Sequence, residues 1–131
     1  MIDTSALVAA VIQDHEHHDL ARPYARTADV VPAIVLAETY AQLRRTFRQP
    51  AAVAASVLTP WSTAVDRVLA TSGTATVAVL ARAVELDLGG NIHDALIAQI
   101  CVEHRVPLVT LDRRQHTVAL ALGVDSTYLL A

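Results

Sequence analysis

The sequence predicts an α/β fold built on a mostly parallel central sheet. Three observations carry that reading. Short β-branched runs, DVVP at 29–32 and VPLVTL at 106–111, alternate with longer helical patterns. The links between them are short and marked by Gly or Pro, and neither a linker nor an internal repeat divides the chain. Finally, 131 residues with 53% hydrophobic and 18% charged composition suit one globular domain spanning 1–131, with a substantial core.

The elements follow in order. A short first strand ends at Asp3, and an apolar helix covers 6–13. DHEHHD (14–19) is a polar loop or helix start, with helix continuing to about 26. DVVP is a short buried strand. Pro32 opens a helix over 33–47, since proline suits a helix start. Pro50 opens another, over 51–58. TPWS (59–62) is punctuation. A strand is expected over 65–70, weakened by Asp66 and Arg67. TSGT (71–74) turns the chain into a helix over 75–86. GGN (89–91) breaks it before a helix over 92–104. VPLVTL is the clearest strand. A helix over 113–122 ends at Gly123, and 126–130 is a final strand.

Composition narrows the function. Aromatics are only 4%, so Ala, Val, Leu and Ile must build the core. No apolar run suggests a membrane span, and no signal peptide is visible. The single Cys101 can form no intrachain disulfide, which suggests a cytoplasmic protein. A net charge of −3 excludes a generally basic nucleic-acid coat, so any nucleic-acid contact must be local. All ten basic residues are Arg, whose planar forks suit phosphate oxygens.

The acids are the informative residues. In parallel sheets, ligand sites form at the carboxyl ends of strands. Asp3 ends the first strand and Asp112 ends VPLVTL. Asp94 lies three residues after Asn91, a spacing that fits a capping box as well as a site. Glu38 interrupts an apolar helix and fits either a solvated stripe with Gln42 and Arg45 or a site. Gathering four carboxylates is costly, because like charges raise one another's pKa. A divalent cation relieves that repulsion, and oxygen ligands favour Mg²⁺ or Mn²⁺. Such an ion can support hydrolysis of a phosphodiester.

With these acids placed, the chain resembles the PIN domains, and more narrowly the VapC toxins of bacterial toxin–antitoxin pairs. The resemblance rests on IDTSALVA, VPAIVLAETYAQLRR, GGNIHDALIAQICVEHRVPLVTLDRR and GVDSTYLL, in that order. It implies a three-layer α/β/α sandwich and a Mg²⁺- or Mn²⁺-dependent endoribonuclease. By motif, the catalytic acids are Asp3, Glu38, Asp94 and Asp112, with Asp3, Asp94 and Asp112 as metal ligands. Thr4 and Thr110 match hydroxyls that support the site. Arg44, Arg45, Arg113 and Arg114 flank the acids and are candidates to hold RNA phosphates. The family also implies a tRNA or rRNA substrate, a cognate antitoxin and a homodimer. Many relatives carry a further acid shortly after the fourth. Here Arg113, Arg114, Gln115 and His116 follow Asp112, which favours one firmly held ion.

Other residues carry less. His15, His17 and His18 read as a solvated loop, not a zinc site. His93 and His116 read as surface or packing residues. The few aromatics argue against strong base stacking, leaving shape and phosphate geometry to select RNA. DTS resembles an aspartyl-phosphate phosphatase motif poorly, because Ser5 stands where that chemistry needs a second acid. A response-regulator receiver would need a Lys. The remaining alternative is a catalytically weak PIN-like module whose main role is binding another protein.

Overall fold

The computed structural model describes all residues, Met1–Ala131. In chain order the elements are α1 (Thr4–Val11), α2 (His18–Thr27), β1 (Val31–Pro32), α3 (Ala33–Arg45), α4 (Ala51–Ser56) and α5 (Thr59–Ser62). A 3₁₀ turn, Val65–Arg67, leads into β2 (Val68–Leu69). Then come α6 (Gly73–Ala81), α7 (Ile92–His104), β3 (Leu108–Thr110), α8 (Arg113–Ala121) and β4 (Ser126–Tyr128). No helix is long and apolar enough to cross a membrane.

Every strand pairing is parallel, as the alternating pattern predicts. β1 pairs with β2 through Val31↔Val68 and Pro32↔Leu69. β3 pairs with β4 from Leu108↔Ser126 to Thr110↔Tyr128. On the other edge of β3, Ile2 forms a bridge to Val109. Met1 C=O accepts from the Val109 N–H at 2.9 Å, and the Asp3 N–H donates to Val109 C=O at 3.1 Å. The predicted first strand is therefore a single bridged residue.

The strands are shorter than the sequence suggests, for identifiable reasons. Pro107 has no N–H to offer a ladder, and the Val106 N–H closes α7 by donating to Cys101 C=O at 3.1 Å. Asp66 and Arg67 are exposed, so the stretch before Val68 curls into the 3₁₀ turn. TPWS is a full helical turn, with Pro60 in its opening positions. The helix expected over 75–86 starts earlier, at Gly73, because the Ser72 hydroxyl caps the Ala75 N–H at 2.9 Å. It ends at Ala81, and hydrogen-bonded turns carry the chain to Leu88. Gly123, at φ +80, ends α8 in the left-handed region that favours glycine.

Helices cover the strands in two groups. α1, α2, α3 and α4 pack as one group, and α6, α7 and α8 as another. Ala6, Ala9, Ala21 and Ala25 are buried in the main core, so α1 and α2 approach closely with small side chains. This is how a chain so poor in aromatics closes a core. Leu7, Val35, Ile97 and Leu108 supply its bulk. A smaller cluster of Val79, Ala95 and Val118 joins α6, α7 and α8.

One buried group is out of place. Thr39 on α3 is fully buried and its hydroxyl has no partner. An unpaired buried hydroxyl costs about 1–3 kcal/mol. Thr39→Val keeps the shape without the hydroxyl and is expected to raise unfolding stability by about 1 kcal/mol. An unchanged or lower urea midpoint would contradict this.

Candidate active site

Asp3, Glu38, Asp94 and Asp112 line one cavity of about 250 Å³. Local folding places each acid. Asp3 caps α1, its Oδ1 accepting the Ala6 N–H at 2.9 Å. Asp112 caps α8, its Oδ1 accepting the Arg114 N–H at 2.8 Å. Asp94 lies in the first turn of α7. Three acids thus sit at the positive ends of three helices, which favours their ionised forms. Glu38 comes from the second turn of α3, where the Thr4 hydroxyl donates to its Oε1 at 2.9 Å.

The capping-box reading of Asp94 fails on geometry. Asn91 turns its Oδ1 back to the Gly89 N–H at 2.9 Å, and α7 has no side-chain cap. The Asp94 carboxylate accepts no hydrogen bond from the protein, while its backbone C=O accepts from the Gln115 side-chain amide at 2.9 Å. Glu38 likewise lines the cavity. Gln42 lines it too, whereas Arg45 does not, so of the two readings of Glu38 the geometry favours the site over a solvated stripe.

Asp3 is the most enclosed acid, at 3% exposure. The Ser5 hydroxyl reaches both its oxygens, at 2.8 and 2.9 Å. The Thr110 hydroxyl donates to Oδ2 at 2.5 Å, the short contact expected of a charged acceptor. Both hydroxyls are themselves held: Ser5 Oγ accepts the Leu111 N–H at 3.0 Å, and Thr110 Oγ1 accepts the Asp112 N–H at 2.9 Å. This network locks the end of β3 onto the start of α1. Burial pushes the Asp3 carboxyl up to about 6, against the opposing pull of Thr110, Ala6 and Ser5, and the Asp112 charge adds to the rise. Asp94 is also raised, first by burial and then by Asp112 and Glu38, with Arg114 and His93 opposing.

The donor set fits a hard divalent cation: carboxylate oxygens and hydroxyls, with no sulfur or imidazole among the lining groups. Asp94 has its full carboxylate free of protein donors. Asp3 receives three donors, which leaves part of its acceptor capacity open. As they stand, no three of the acids yet form a tight ligand cluster. Asp3, Asp94 and Asp112 are the residues that could hold the ion.

The arginines separate. Arg114 lines the cavity, its guanidinium 3.8 Å from Asp112 Oδ2. Arg113 lies over the Tyr128 ring at 5.7 Å. Arg44 turns away and donates to Gln49 C=O at 2.9 Å. Arg45 is exposed at the end of α3. His93 is exposed, and His116 bonds Ser126 Oγ at 2.9 Å and stacks on Tyr128. His15, His17 and His18 are half-buried, so the solvated-loop expectation is corrected. His18 Nδ1 sits 3.1 Å from Ala9 C=O, which ties α2 to α1. Ser5 and Gln115 also line the cavity, and neither belongs to the acids, threonines and arginines that the motifs mark. The spacing of Ser5 two residues after a capping Asp was its available signal; nothing local marked Gln115.

A carboxylate cluster at the carboxyl edge of parallel strands defines a class of folds with a shared site, not yet a reaction. Within that class the chain belongs to the PIN domain family, whose model matches residues 1–120. Among solved structures it is similar to VapC20 of Mycobacterium tuberculosis, described as a toxin cleaving the sarcin–ricin loop. That match has 20% identity and a TM-score of 0.66, and covers 84% of this chain and 85% of the other. The likeness establishes a common fold. No curated protein sequence matches the chain.

Proposed function

We propose that this protein is a metal-dependent endoribonuclease and the toxin of a toxin–antitoxin pair, hydrolysing a phosphodiester in tRNA or rRNA. The observation that carries this reading is the convergence of four carboxylates from α1, α3, α7 and α8 on one cavity. A purely structural role does not account for it, because each added acid raises its neighbours' cost of ionisation. Membership of the PIN family and the fold shared with an RNA-cleaving toxin agree with it.

Asp3, Asp94 and Asp112 would hold Mg²⁺ or Mn²⁺. When bound, the ion supplies neutralisation of phosphate charge and eases deprotonation of water. Glu38, anchored by Thr4, orients the attacking water and accepts its proton. Arg114, at the cavity rim, meets the phosphate oxygens beside the cut. With no acid in the positions after Asp112, one ion is held by the protein alone. The protein acts in the cytoplasm, and a cognate antitoxin restrains it. Val77, Leu80 and Val84 are exposed apolar residues on and just after α6, and they supply a face suited to a homodimer.

The test is to incubate the chain with total tRNA and with ribosomal RNA, with Mg²⁺, Mn²⁺ or EDTA, and to sequence the new ends. Discrete cuts that EDTA abolishes are expected. Absence of cutting together with absence of Mn²⁺ binding by calorimetry would replace this reading with that of a protein-binding module.

A further inference from the structure

A second cavity, of about 290 Å³, adjoins the acidic one and shares Ser5 and Gln42 with it. Its walls are α1, through Ser5 and Val8, and α3, through Gln42 and Thr46; its far end carries His15, His17 and Phe47. Glu38 and Gln42 on α3 and Thr46 at its C-terminal cap are spaced four apart, so they form one line down the helix. The line starts at the acids and runs about 12 Å by helical rise. Resting on the nuclease reading above, we propose that this groove holds the single-stranded nucleotides flanking the scissile phosphate, with a base stacked at Phe47 and His15.

The far end is built for a flat, partly polar group. The His15 ring lies 6.5 Å from the only Phe of the chain and 5.7 Å from the His17 ring. His15 Nδ1 accepts the His17 backbone N–H at 3.1 Å, so a neutral His15 carries its proton on Nε2, as a donor. Gln42 and Thr46 add amide and hydroxyl groups along the wall, able to meet base edges or ribose hydroxyls.

Phe47 is held in place at some cost. Its N–H donates to Gln42 C=O at 3.3 Å, and its C=O accepts from the Gln49 side-chain amide at 3.2 Å. The Gln49 N–H donates to Leu43 C=O at 2.9 Å, and Arg44 donates to Gln49 C=O. Between them Arg48 adopts φ +52, an uncommon conformation for a non-glycine residue. A rigid platform of this kind loses little entropy when a ligand stacks on it. Placement thus matters more than the low aromatic content: the single Phe stands at the end of a groove leading to the acids. A base on an aromatic platform needs no particular sequence, which suits contacts beside a cut.

The test uses a fluorescein-labelled oligouridine dodecamer bound to an Asp94→Asn chain, read by anisotropy. Phe47→Leu, which keeps apolar bulk, and His15→Ala are each expected to raise Kd about tenfold. Mn²⁺ affinity of Phe47→Leu and His15→Ala, measured in the chain that keeps Asp94, should not change. The same RNA carrying 5-iodouridine should crosslink to residues 15–17 or 42–47 on the chain without groove substitutions, a readout independent of whether the groove variants fold. Unchanged Kd with crosslinks elsewhere, in a protein that still cuts RNA, would overturn the groove and leave the nuclease reading intact. Unchanged RNA binding combined with lost capture of a co-expressed antitoxin would assign the groove to protein and overturn the proposal. A parent chain that neither binds nor cuts RNA would sink the nuclease reading and the groove with it.

Discussion

Asp94→Asn is expected to slow metal-dependent RNA cleavage by about a hundred- to a thousandfold, the range for removing one well-placed electrostatic group. The carboxylate of Asp94 has no other work in the fold. No protein donor reaches it, and the contact from Gln115 goes to the backbone carbonyl, which the substitution retains. An amide oxygen is a weaker ligand and carries no charge, so both ion affinity and phosphate neutralisation should fall. The fold should be untouched, since the change also relieves repulsion from Asp112 and Glu38. Initial rates across a Mn²⁺ titration, with a urea melt of the same sample, separate the two effects. Parental activity at every Mn²⁺ concentration, low as well as high, would remove Asp94 from the site.

Asp3→Asn is expected to raise stability at neutral pH while also ending cleavage. The folded pKa of Asp3 is raised from 3.8 to about 6. The native state therefore holds this proton more tightly than the unfolded chain does. The contribution is fully present below about pH 4 and is lost as pH rises through 6. A shift of that size is worth about 3 kcal/mol, as an order of magnitude. Asn can keep the helix cap, because its oxygen still accepts the Ala6 N–H. In EDTA, the variant should match the parent at pH 4 and exceed it by a few kcal/mol at pH 7. Mn²⁺ should then raise the parent's urea midpoint at pH 7 and leave the variant's unmoved. A variant less stable than the parent at pH 7 would mean that the hydrogen bonds from Thr110 and Ser5 outweigh burial.

Much of this was legible in the sequence because local chemistry and global pattern agree. VPLVTL, followed by a capping Asp, announces a strand-to-helix junction. The parallel pairing follows from the alternation of elements, although the strands pair as two two-stranded sheets, β1–β2 and β3–β4, and not as one. α7 begins and ends where GGN and the change of pattern after His104 suggest. The ambiguities were those that one dimension cannot resolve. Asn91 and Asp94 have the spacing of a capping box, and only the turn of Asn91 toward Gly89 shows that no box forms. Glu38 could face water or the acids, and Thr4, thirty-four positions earlier, decides it. The histidines after α1 looked solvated because the run is polar. His15 and His17 lie against Phe47 and α3, and His18 against Ala9 of α1, which no local pattern could announce. Arg44 and Arg45 look equivalent in sequence, yet a loop carbonyl captures one and leaves the other free.

The double duty of Asp3 and Asp112, which cap helices as well as line the cavity, bears on how such a protein can be silenced. Asparagine, serine and threonine are the residues that can take over a cap. Leucine or valine at these positions would leave helix N–H groups unpaired and disturb the fold together with the chemistry. On the nuclease reading proposed above, descendants that lose the cleavage should therefore drift first toward asparagine at 3 and 112. The same exchange should give the experimenter a folded chain without the proposed cleavage, suited to production in quantity.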